Sequence, residues 1–288
     1  MKRLGFLFAL ILTAACGSSP QEKKAENQEQ RIITAGGTIS EIVAALGLQD
    51  QIIATDRTST FPKELQQLPS IGYRNQIKAE GILSLNPSLV LAEEGYLNPE
   101  VVGQLKNTSI NYYEFKQPES PDETMALVQQ LAEQFNLQEK GDQLISQIES
   151  DLVALEEFKS KTSQPEGTTA FVMARGPESL FLAGKGSFAS HLFELAGVNS
   201  VAADFEDFVP LTPEALITMN PTHLVLFESG LESLGGKQGL GTIPGMRETK
   251  AFQQGNIIAM DGLLLSGFGP RVGQAALQLA KSIRENKN

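Results

Sequence analysis

Few side chains in this sequence could do chemistry, and they are unevenly spread. There are two histidines, His191 and His223, and one cysteine, Cys16. That excludes a metal site of three histidines and leaves little material for histidine-based catalysis. Catalytic spacings are missing as well. Gly184-Lys-Gly-Ser187 lacks the length of a phosphate loop, Ala35-Gly-Gly-Thr38 is not G-x-G-x-x-G, and there is no G-x-S-x-G nucleophile elbow. What remains is a set of polar residues placed just after apolar runs. Tyr73 follows Ile71-Gly72, Glu93, Glu94 and Tyr96 follow a run ending at Ala92, Arg175 follows Ala174, and Asp261 follows Met260. Arg271 closes the stretch Gly267-Phe-Gly-Pro-Arg, in which Pro270 suits the first turn of a helix. Arg271 then stands where helix-end amides also hold an anion. In open α/β sheets ligands bind beyond the carboxyl ends of strands, so this set marks a cleft. The neighbouring carboxylates Glu93 and Glu94 read as solvated. His191, beside Leu192 and near Phe188, reads as a half-buried structural histidine. His223 opens a strand, away from the cleft.

The elements that must position these residues alternate. Short apolar runs at 32–33, 52–54, 89–92, 170–174, 224–227 and 257–260 read as buried strands. Segments 39–46, 82–85, 125–135 and 275–283 between them carry apolar residues at helical spacing. This pattern predicts an α/β fold with mostly parallel sheets. An internal repeat divides it. AEGILSLNPSLVL at 79–91 recurs, with one insertion, as PEALITMNPTHLVL at 213–226, each a helix stopped by Asn-Pro and followed by a strand. SEIVAALG at 40–47 is echoed by SHLFELAG at 190–197. Two Rossmann-like lobes are therefore expected, residues 31–137 and 164–288. Residues 138–163 join them as one long helix, with Leu144, Ile148, Leu152 and Leu155 on a single stripe. About six turns at ~1.5 Å per residue make it ~35 Å long, and a connector of that stiffness implies limited hinge motion.

The amino terminus is an address. Lys2 and Arg3 precede a short apolar run that ends at Ala14-Ala15-Cys16, so residues 1–16 read as an export signal too short to stay in a membrane. Cys16 is in the place where a lipoprotein signal is cleaved and lipidated, with Thr13 where that pattern prefers Leu. Residues 17–30 have no large apolar side chain and read as a flexible tether. The formal charge of −11 argues against a nucleic-acid partner, because phosphate binding draws on a surplus of Lys and Arg.

Five stretches together resemble the haemin-binding proteins of bacterial haem ABC importers. They are AGGTISEIVAALG at 35–47, TSTFP at 58–62, IGYR at 71–74, LSLNP at 83–87 and MDGLLLSGFGPR at 260–271. The likeness covers nearly all of the chain after the tether. It implies haem as a transported ligand, delivered to an ABC permease driven by its own ATPase, with no reaction catalysed. It makes Tyr73 the axial ligand of ferric haem iron, a role tyrosine is known to fill. Phenol ionises near pH 10, so phenolate ligation draws on the iron or on a nearby cation. Family members often place an arginine two residues after this tyrosine; here Asn75 is there and Arg74 is one residue earlier. His191 and Tyr96 are the candidates for a second ligand. Arg175 and Arg271 are candidates for the propionates through charge-assisted bonds, with pairing to carboxylates as their alternative role. Glu80 and Glu214, equivalent in the repeat, would dock onto the permease, and each also suits a helix amino end. The same scaffold carrying a ferric siderophore or a corrinoid is the nearest alternative, and an exported α/β enzyme a more distant one.

Overall fold

The computed structural model describes residues 30–201 and 204–285; the expected signal, Cys16 and residues 17–29 lie outside them. The strands are β1 (Ile32–Ala35), β2 (Ile52–Thr55), β3 (Leu89–Glu93), β4 (Asn111–Phe115), β5 (Thr169–Ala174), β6 (Leu180–Ala183), β7 (Phe208–Pro210), β8 (His223–Phe227) and β9 (Ile257–Met260). The helices are α1 (Gly37–Val43), α2 (Ala79–Leu83), α3 (Pro99–Lys106), α4 (Pro121–Gln134), α5 (Gln138–Lys161), α6 (Phe188–Ala196), α7 (Pro213–Met219), α8 (Glu228–Ser233), α9 (Gly236–Leu240), α10 (Lys250–Gln253), α11 (Gly262–Ser266) and α12 (Val272–Glu285).

Two sheets form. The first has the order β2-β1-β3-β4 with every pairing parallel. β1 and β3 are buried along their whole length, as covered parallel strands of apolar residues must be. The second has the order β7-β6-β5-β8-β9. Its β5, β8 and β9 are parallel, while β6 and β7 run antiparallel at one side. The α/β class with largely parallel sheets is therefore what forms. The six strands legible as apolar runs are all present. The apolar runs do not mark β4 (NYYEF), which polar residues interrupt, or the two antiparallel strands β6 (LFLA) and β7 (FVP).

The repeat has a backbone cause. After α2 the chain turns at Asn86 (φ 48°), and after α7 at Asn220 (φ 42°). Asn tolerates this left-handed turn, and the proline that follows cannot continue a helix. Gly47 and Gly197 make the same left-handed exit in the second pair of repeats.

α5 occupies residues 138–161 as its stripe predicts, burying Gly141, Ile148 and Leu155. It packs on α4 and α12. A side chain at Gly273 would come within 2.8 Å of Asp151 Cβ, so the glycine lets α12 lie close against α5. One core runs without a break from Ile39 and Val128 through Ile148 and Leu155 to Phe171, Phe193 and Leu279. Each sheet also has a separate core on its other face. The helix thus fuses the two halves through shared packing. No helix among the described residues is long and apolar enough to cross a membrane.

Candidate functional site

The carboxyl ends of the two sheets meet. Gly37 follows β1, α11 follows β9, and a Cβ on Gly37 would lie 2.6 Å from Leu263 Cδ1 and 2.8 Å from the Thr58 carbonyl oxygen. Across this seam the Thr38 hydroxyl donates to the Gly267 carbonyl (2.7 Å), and that of Thr124 to the Phe268 carbonyl (2.7 Å). Segment 266–271 of the second half is thereby pinned to the first.

Tyr73 is on the long connection from β2 to α2. Residues 69–72 of this connection run parallel to the end of β2, with Ile71 N–H donating to the Thr55 carbonyl (2.9 Å) and Arg57 N–H to that of Gly72 (2.9 Å). These bonds fix the backbone just before Tyr73, which is half-buried and extended (φ −131°) as the chain enters a short 3₁₀ turn. Arg74 has φ 41°, an uncommon conformation for a residue with a side chain. Its exposed guanidinium lies over the ring of Tyr96, 4.9 Å from the centroid.

Tyr96 is 3% exposed, and its hydroxyl donates a short hydrogen bond to Asp56. Burial and the Asp56 charge push its phenol well above the usual range, which opposes phenolate formation there. Asp56 is itself buried and accepts from the N–H groups of Gly36 (3.0 Å) and Thr58 (2.7 Å) and from the hydroxyls of Thr58 (2.6 Å) and Ser59 (2.7 Å). Five donors keep this carboxylate inside the protein at low cost. Arg74 is thus held over a ring that is itself anchored to a fixed anion.

Glu93 corrects one expectation. Read as solvated beside Glu94, it is instead the last residue of β3 and only 5% exposed, while Glu94 is exposed. Glu93 accepts from Thr38 N–H (3.1 Å). Burial pushes its carboxyl up to about 7, and the Asp56 charge adds to the rise. The cause is position: Glu93 faces Gly36, where any Cβ would meet its carboxyl carbon at 2.4 Å.

The other candidates are scattered around the seam. Arg271 pairs bidentately with Glu41 of α1 (Nε–Oε1 2.7 Å, Nη2–Oε2 2.9 Å), the carboxylate-pairing role open to it. Its guanidinium lies 3.6 Å from the centroid of Phe61. Arg175 is exposed just past β5. His191 is half-buried on α6, its ring edge-on to Phe268 at 6.3 Å and its Nδ1 buried without a partner. Asp261 caps α11, accepting from Leu264 N–H (2.8 Å). His223 is buried at the start of β8, and burial lowers its pKa. Glu80 and Glu214 are exposed in the first turns of α2 and α7.

Three participants escaped sequence reasoning. Asp56 follows directly on β2, so the rule that selected Tyr73 and Arg175 also reaches it. Phe61 lies within TSTFP, a stretch recognised by likeness and given no role. Glu41 had no signal: its partner is 230 positions away.

A sequence model of the periplasmic binding protein family matches residues 32–263. The ABC transporter substrate-binding lipoprotein YvrC of Bacillus subtilis is 26% identical, over 96% of this chain and 94% of that one. The vitamin B12-binding protein of Pectobacterium atrosepticum is 25% identical, over 99% of this chain and 96% of that one. The solved structure of the periplasmic haem-binding protein RhuT from Roseiflexus sp. RS-1 superposes with a TM-score of 0.85 at 34% identity, covering 90% of this chain and 99% of that one.

Proposed function

The chain belongs to the periplasmic binding protein family, and from that premise we propose that it captures haem outside the cytoplasmic membrane and hands it to an ABC permease. The observation that carries this reading is Tyr73, half-buried on the connection that follows β2, in a chain more similar to a haem-binding protein than to a B12-binding one. Ferric iron is a hard Lewis acid and takes the Tyr73 oxygen as its protein ligand. Arg175, exposed past β5, supplies positive charge for the propionates, while the charge of Arg271 is taken up by Glu41. His191 is the candidate for a second contact to the iron. Tyr96 serves by bracing Arg74.

Residues 31–137 and 164–288 act as two lobes on the connector 138–163, and haem binds between them. Glu80 and Glu214 lie on matching short helices, one per lobe, and meet basic residues of a two-fold permease. A separate ATPase drives transport, and this chain catalyses nothing. The signal and Cys16 tether the protein to the cell envelope through a lipid, a reading supported by the name of the Bacillus relative.

Titration of the purified protein with haemin tests the reading. A saturable Soret shift is expected, with the phenolate signature in resonance Raman lost in Tyr73→Ala. An unchanged spectrum in that variant refutes the ligand assignment. The B12-binding relative supports a corrinoid as the second reading. Saturable cyanocobalamin binding without haemin binding would select it.

A further inference from the structure

We propose that Phe61 is a preformed flat wall of the cleft on which the porphyrin ring stacks, with Arg271 bracing the phenyl ring from behind. The inference rests on the haem reading above and adds a contact that does not involve iron.

Among the described residues four large hydrophobic side chains are exposed: Phe61, Tyr113, Val153 and Ile217. Tyr113 is on the edge strand β4, Val153 on α5 and Ile217 on α7. Phe61 alone is on a loop beyond the carboxyl end of a strand, where α/β sheets take their ligands. It shares that loop with Tyr73. The two limbs of the loop are tied together through Arg57 N–H and the Gly72 carbonyl, at 2.9 Å. Phe61 also reaches the seam, because Arg271, the residue against its ring, belongs to the other half.

The ring is held in place before any ligand arrives. The Arg271 guanidinium lies over it at 3.6 Å and cannot swing away, since two hydrogen bonds lock it to Glu41, itself only 4% exposed. Downstream, Leu65 N–H donates to the Pro62 carbonyl (3.0 Å), and the Gln66 side-chain amide donates to that of Thr60 (2.7 Å). An aromatic ring that is 38% exposed yet rigidly oriented pays no ordering cost when a planar apolar ligand covers it. An isolated surface phenylalanine would need no such brace. The ligand class this wall selects is a broad, flat, conjugated ring, since two flat π faces favour an offset stack.

Covering the exposed part of the phenyl ring is worth roughly a ten- to thirtyfold gain in affinity. The test titrates wild type, Phe61→Ala, Phe61→Tyr and Tyr73→Phe with haemin and with iron-free protoporphyrin IX. The expectation is that Phe61→Ala weakens both ligands by the same factor, and Phe61→Tyr restores both. Tyr73→Phe should weaken haemin far more than the iron-free ring. Haemin affinity in Phe61→Ala within twofold of wild type overturns the stacking wall while leaving the haem reading intact. A loss seen with haemin and absent with protoporphyrin also overturns it, assigning Phe61 to the iron site instead. Failure of the wild-type protein to bind haemin refutes the haem reading itself.

Discussion

Replacing Glu93 with glutamine should make the protein more stable at pH 8 and leave it almost unchanged at pH 4. Glu93 sits at the end of β3, 5% exposed, and accepts a hydrogen bond from Thr38 N–H at 3.1 Å. Burial is the largest influence on it and raises its carboxyl from 4.5 to about 7; the Asp56 charge adds to this and the Arg74 charge opposes it. Between those two pH values the folded protein holds a proton that the unfolded chain has lost. Stability therefore falls as pH rises through this window. Below 4.5 the side chain is neutral in both states and costs nothing. Above 7 it is charged in both, and the full cost of burying the charge is present. The window spans about two and a half pH units, and at about 1.4 kcal/mol per unit the wild type loses about 3 kcal/mol across it. Glutamine keeps the shape and the acceptor for Thr38 but carries no charge. Urea denaturation of both proteins from pH 4 to pH 8 reads the difference, since titrating groups distant from Glu93 cancel. The expected gap opens from near zero to about 3 kcal/mol in favour of Glu93→Gln. A gap that stays flat across this range, or a variant less stable at pH 8, would refute the assignment of a buried, proton-holding carboxyl.

Two further outcomes are expected. Arg271→Met leaves Glu41 buried without its partner and should cost about 3 kcal/mol or more in urea denaturation, with Glu41→Gln on the same background recovering much of the loss. Cys16→Ser should abolish labelling by a radioactive fatty acid and release the protein from the membrane fraction, with haemin affinity unchanged; retained labelling would place the anchor elsewhere.

Much of the framework was written locally. A covered parallel strand is apolar throughout, so β1, β2, β3, β5, β8 and β9 announce themselves as short runs. The stripe on α5 repeats every three to four residues, and polar residues fill its other face, so the helix and its length are legible without a partner. Asn-Pro stops two helices because proline cannot continue them and Asn accepts the left-handed turn. Arg175 stands at the end of β5, a local feature that the sequence shows, whereas the apolar pair before Tyr73 belongs to a connection and not to a strand.

Other features exist only once distant segments touch. β4 carries polar residues on an edge strand and needs β3 beside it to be recognised. Glu93 and Glu94 are neighbours of identical chemistry. One is enclosed against Gly36 and Thr38 and the other stays in water, a difference made by chain more than fifty residues away. Arg271 found Glu41 across 230 positions and thereby became a brace for Phe61. The sequence alone therefore determined six of the nine described strands and the connecting helix, because propensity and periodicity act over one or two turns of chain. Only the tertiary structure decided which charges are buried and paired and which aromatic ring is left facing the cleft. Desolvation and contact depend on what packs from elsewhere, and no local pattern records it.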